Sequence, residues 1–187
     1  MSFIHLVEPQ RGAGRFPLFA LGFRPFFLLA ALFAAVSVPL WLLVYRGMLE
    51  PESHLPAFVW HGHEMVFGFA MAVIAGFLLT AAANWTGRRT ASGLGLAALA
   101  GRWLAGRIAV FCGAALPAWL VIAIDIGFLP VLAVTLAVPI LGAGNRRNMI
   151  FPVILLVLGG VNLAIHLGAL GLLEWDYSRG LRVAIDL

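Results

Sequence analysis

Residues 26–45 read FFLLAALFAAVSVPLWLLVY and contain no charged side chain. A bilayer core is crossed by roughly 20 apolar residues of helix, the length of this run, so the stretch reads as a transmembrane helix. Working outward, similar runs recur at 59–85, 94–111, 116–141 and 149–173, punctuated by Arg pairs, Gly and Pro. The residues GAA around Gly113 form the tight connection between the third and fourth. An alternative third span places Ile108 to Ile124 in the membrane and Asp125 in a turn; both versions cross twice between the Arg pairs. The tail LRVAIDL, from Leu181, reads as the first turns of a sixth helix that the chain does not complete. The expected fold is all-α, a polytopic transmembrane helix bundle of five spans plus the start of a sixth. It is a single helical domain over residues 1–187, with a cytoplasmic N-terminal segment over 1–24.

Composition supports that class. Hydrophobic residues make up 63% and charged residues 11% of the chain, and the mean hydropathy is +1.02, so the chain lacks the polar surface a water-soluble core requires and has the lipid bilayer as its partner. The net charge of +4 does not indicate nucleic acid, because all 12 basic residues are Arg and lie dispersed between apolar runs. With one cysteine, Cys112, and no lysine, an internal disulfide, a cysteine-type zinc cage and a lysine Schiff base are excluded. The first residues lack a compact apolar stretch followed by a small-residue cleavage site, so no removable signal peptide is expected. The LAAL tetrapeptide occurs twice, a consequence of Ala/Leu-rich composition rather than a repeat.

Arginine placement orients the spans, because Arg-rich short loops remain in the cytoplasm. Arg11, Arg15 and Arg24 precede span one, Arg88 and Arg89 follow span two, and Arg146 and Arg147 follow span four. On the other side Arg46 is offset by Glu50 and Glu52, and Arg179 and Arg182 by Glu174 and Asp176. The N-terminus is therefore expected in the cytoplasm.

That orientation lifts the polar groups to one level. WHGHEMVFGF (Trp60–Phe69) begins span two, placing His61, His63 and Glu64 in the outer part of the membrane. Span five runs outward and carries His166 roughly 10 Å of rise before its end. Arg107 on span three falls in the same half, and Asp125 on span four nearer the middle. Ionisable groups at this depth are costly against lipid and should point inward. At about 100° per residue, His61, Glu64 and Met65 share a face, while His63 lies about 160° from His61. One histidine is then an inward ligand and the other sits near the headgroups, unless Gly62 makes the first turn irregular. Asn162 and His166, four apart, share a face on which the amide can orient the imidazole. Gly68, Ala72 and Gly76 form a small-residue stripe that means close helix approach.

Imidazoles in an apolar layer suit heme iron or copper. The plainer readings are interfacial histidines, a satisfied buried His166, and a structural ion pair of Arg107 with Glu64 or Asp125. His5 and His54 read as loop residues without a role. SGLGLAALAG does not follow a strand or end in Lys-Ser/Thr, so it is no phosphate loop. The scattered methionines read as packing, and Arg24-Pro25 as a helix start.

GFRPFF (Gly22–Phe27), WHGHEMVFGF, AGFLLTAAANWTGR (Ala75–Arg88), WLAGR (Trp103–Arg107) and NRRN (Asn145–Asn148), in this order and spacing, resemble the N-terminal half of the NnrS family. The resemblance runs from about Phe16 onward, and family members are longer. It implies a bacterial inner-membrane protein that contains heme and copper and takes part in the response to nitric oxide, a ligand that reaches it through lipid. By motif, His61 and His63 are the expected metal ligands, with His166 a third; Glu64, Arg107 and Asn162 are expected to support the cofactor or meet heme propionates. A second helical half or a homo-oligomer would be the protein partner. No turnover chemistry is readable. The competing function is a transporter or proton-translocating protein without metal, with Glu64, Arg107 and Asp125 as a polar path.

Overall fold

The computed structural model describes residues 17–174 and 177–186. His5, Asp176 and most of the expected N-terminal segment lie outside these. Each apolar run forms one helical span. Span one is α1 (Phe23–Tyr45), which starts at Arg24-Pro25 where proline's missing N–H does no harm. Span two is continuous over Ala57–Thr86 and has three parts: α2 (Ala57–His63), a π-helical stretch (Glu64–Ala70) and α3 (Met71–Thr86). Span three is α4 (Gly93–Phe111). Span four consists of α5 (Ala118–Ile126) and α6 (Phe128–Gly142), parted at Gly127. Span five is α7 (Ile150–Ala169), entered through a 3-10 turn over Arg146–Met149. A last helix, α8, covers Tyr177–Asp186. Five helical segments are thus long and apolar enough to cross a membrane, and no strand occurs among the described residues.

The structure decides between the two versions of span three. α4 runs to Phe111, and a short 3-10 turn over Gly113–Ala115 leads into α5, so Ile108 and Ile124 lie on different helices. Span five stops at Ala169, short of the expected Leu173, because Gly171 takes a left-handed φ of 69°. There the Gly171 and Leu172 N–H groups close on the carbonyls of Gly168 and Leu167 at 3.0 and 2.9 Å. The last helix begins at Tyr177, earlier than the expected Leu181.

Lipid is as apolar as leucine, so close packing and polar contacts, rather than exclusion from water, hold such spans together. α1 packs on α3 and α6 on α7. The small-residue stripe serves the first contact: a side chain at Gly76 would come within 2.9 Å of Phe27, and one at Gly68 within 2.8 Å of Phe33. Phe26, Leu79, Trp103, Leu132 and Ile140 are fully enclosed. Val36, Val38, Val134 and Val138 face outward, as lipid-contacting residues do.

Candidate metal centre

Six polar side chains are buried among the described residues: His63, Glu64, Arg107, Asp125, Asn162 and His166. They come from four spans and lie about 5–10 Å of helical rise from the helix ends on one side of the bundle. α2 ends at His63, and the π-helical stretch opens with Glu64. Gly68 in that wide turn makes room for the carboxylate, since a Cβ there would stand 2.9 Å from Glu64 Oε2. The Trp103 indole N–H donates to the Gly68 carbonyl at 3.1 Å and ties the turn to α4. On α4, Gly106 admits Asp125, whose Cα would lie 3.4 Å from a Cβ at that position. One turn of α7 supplies Asn162 and His166.

Asp125 is the hub. Its Oδ1 accepts from Arg107 Nη2. Its Oδ2 accepts from Asn162 Nδ2 at 2.8 Å and His166 Nε2 at 3.0 Å, and lies 3.2 Å from His63 Nε2. Arg107 Nη1 donates to Glu64 Oε1 at 2.8 Å. The ion pair read from the sequence therefore exists, with both carboxylates on one guanidinium. His63 Nδ1 lies 3.1 Å from Glu64 Oε1, and its Nε2 lies 2.8 Å from Asn162 Oδ1. Both nitrogens thus face oxygen acceptors, whereas a neutral imidazole carries one N–H. A cation, either a proton or a metal ion, completes the arrangement. Charge counting agrees: two carboxylates face one guanidinium, leaving one negative charge to balance inside the apolar layer. Glu64 Oε2 and Arg107 Nε have no hydrogen-bond partner among the described residues.

Three sequence expectations change here. His61 does not share the inward face with Glu64; its ring stacks on Trp41 of α1, with centroids 4.1 Å apart and planes 6° from parallel. Met65 is exposed. The physical cause is the π-helical stretch, whose extra residue rotates everything before it by about 100° relative to a regular helix. The line through Ala72 and Gly76 therefore leads back to Trp60, which is 2% exposed, instead of His61. Asn162 supports His63 and Asp125 rather than His166.

The partner of His166 is His54, a residue given no role from sequence. With His166 Nε2 donating to Asp125, its Nδ1 accepts from His54 Nε2 at 2.8 Å. His54 lies in the loop before α2, outside the spans. Burial, then His166 and His63, push it down to about 4 against the opposing pull of Asp125, so it is neutral at physiological pH. The available sequence signal was positional: His54 precedes span two on the side where span five ends.

His63, Asp125 and His166 each offer one donor atom, all within 4.8 Å of one another. Four-coordinate ions with bonds of about 2.0–2.2 Å hold their donors roughly 3.3–3.6 Å apart. The contacts of 3.0 and 3.2 Å to Asp125 Oδ2 are close to that spacing. Two imidazoles and a carboxylate suit a transition-metal ion such as copper. They do not fit a heme between them: the rings are 5.2 Å apart by centroid, with the Asp125 carboxylate against both. Cys112 is exposed and adds no thiolate.

The sequence profile of a family described as NnrS protein matches residues 17–187. No curated protein and no solved structure matches the chain.

Proposed function

The chain belongs to the NnrS family and is a multi-pass membrane protein, and we propose that it holds a copper ion in the outer half of the bacterial inner membrane as part of the response to nitric oxide. One observation carries the proposal: two imidazoles and a carboxylate, all buried, bring their donor atoms within 4.8 Å of one another, in a cluster with one negative charge left to neutralise. His63, His166 and Asp125 would hold the ion. When bound, copper supplies one-electron exchange and affinity for small ligands such as nitric oxide. The nitric oxide assignment rests on the family resemblance, and the outer-half placement on the arginine asymmetry.

The chain's own residues prepare that site. Arg107 fixes both carboxylates and keeps the Asp125 Oδ2 lone pairs directed at the imidazoles. Asn162 bridges His63 and Asp125 across two spans. With an ion held at His166 Nε2, that imidazole would carry its proton on Nδ1 and donate it to His54, which fixes the ligating tautomer. Phe67 packs against His63 at 5.0 Å between ring centroids, which helps to exclude water while an apolar gas enters through lipid.

Heme, implied by the resemblance, finds no room at this cluster. His61 lies apart from it, and its ring nitrogens have no hydrogen-bond partner among the described residues; a heme bound to this chain would be ligated there. A proton-relay reading draws on the contacts running from His54 through His166 and Asp125 to Glu64.

Elemental analysis and visible spectra of the chain, purified from cells supplied with copper and heme precursors, test the proposal. It expects about one copper per chain and a spectral change on adding nitric oxide. A folded protein that takes up no copper would refute it, and proton flux into vesicles that is lost in Asp125→Asn would favour the relay.

A further inference from the structure

Arg102 is the central residue of α4 (Gly93–Phe111). It is exposed on the lipid-facing side of the bundle. About 13 Å of helical rise separates it from either end of the span, farther than an arginine side chain extends to reach headgroups. Its guanidinium lies over the break between α5 and α6, where a side chain at Gly127 would overlap it. Nη2 makes one long hydrogen bond, 3.4 Å, to the Ala123 carbonyl. No carboxylate pairs with it among the described residues. Arginine at this depth is costly unless it is paired.

The surface beside it is shaped for a helix. Ala98, Gly101 and Ala105 are exposed along one line of α4, and a Cβ at Gly101 would meet nothing within 4 Å. Small residues in such a line let a second backbone approach closely. We propose that this face docks a transmembrane helix of a partner that carries one Asp or Glu at mid-membrane depth, paired with Arg102.

Charge identifies the occupant. A second copy of this chain would bring another Arg102. Of its described carboxylates, Glu64 and Asp125 are committed to the buried cluster, Glu50, Glu52 and Glu174 lie beyond the spans, and Asp186 ends α8. Among these only Asp186 is both helical and exposed, and displacement of the Glu peptide by unlabelled chain is the outcome that a second copy pairing through it would give. The proposal is independent of whether the cluster binds metal.

The test labels the single Cys112, which is exposed, with a donor fluorophore in phosphatidylcholine vesicles. Acceptor-labelled Leu/Ala transmembrane peptides carry Glu, Gln, Leu or Lys at their midpoint. Energy transfer should show association about tenfold tighter for the Glu peptide than for the Leu peptide. Arg102→Leu should abolish the preference, Arg102→Lys should retain it, and Arg102→Glu should transfer it to the Lys peptide. Helical circular dichroism establishes that each variant is folded. Equal association of all peptides, or a Glu preference that survives Arg102→Leu, would overturn the proposal. So would displacement of the Glu peptide by unlabelled copies of the chain or by anionic lipid.

Discussion

Replacing Arg107 with Met removes the guanidinium that bonds Glu64 and Asp125 at once while keeping an unbranched apolar stem. Removing one partner of a buried ion pair costs about 3–5 kcal/mol, because the remaining charge stays desolvated and uncompensated. Here both carboxylates would be stranded, each at most 3% exposed, which places the expected loss at the upper end of that range. The folded-to-unfolded ratio should fall by roughly three to four orders of magnitude. A neutral interhelical hydrogen bond in a membrane contributes roughly 0.6 kcal/mol, so a loss of this size identifies charge rather than hydrogen-bond count. The assay is equilibrium unfolding in mixed micelles, with increasing fractions of denaturing detergent followed by circular dichroism. The triple variant Arg107→Met, Glu64→Gln, Asp125→Asn removes all three charges and should recover most of the loss. An Arg107→Met protein within about 1 kcal/mol of the parent, or a triple variant less stable than the single one, would refute the electrostatic reasoning.

Three further outcomes follow from the same geometry. Gly68→Ala places a Cβ against Phe33 and Glu64 Oε2, and should destabilise the bundle by about 1–3 kcal/mol in the same micelles. Trp103→Phe removes the donor to the Gly68 carbonyl and should cost about 1 kcal/mol there; an unchanged unfolding midpoint would show that the π-helical turn does not need this contact. His54→Ala leaves His166 without its Nδ1 partner and should weaken copper binding about 10- to 100-fold in a competitive chelator titration.

Span positions were legible in the sequence because twenty apolar residues in a row have few alternatives. Gathering the polar groups was legible for a related reason: helix rise converts position into depth, and His63, Arg107, Asp125 and His166 could be assigned to one side before any coordinates. Rotation about the helix axis was not legible. Nothing in EMVFGFA announces a π-helical turn, and one extra residue there decides that His63 rather than His61 turns inward. His54 escaped for a different reason, since a loop has no period from which an orientation can be inferred. Arg102 sits inside the apolar run of span three, but its direction was not legible, because its outward placement depends on Gly127 leaving space for it.

The most direct measurement of the central claim is pulsed electron paramagnetic resonance of the copper-loaded chain and three single variants. The account predicts nitrogen modulation from two imidazoles in the parent, reduced in His63→Ala and in His166→Ala and unchanged in His61→Ala. A copper signal that persists unaltered without His63 and His166, or one that disappears with His61, would contradict it.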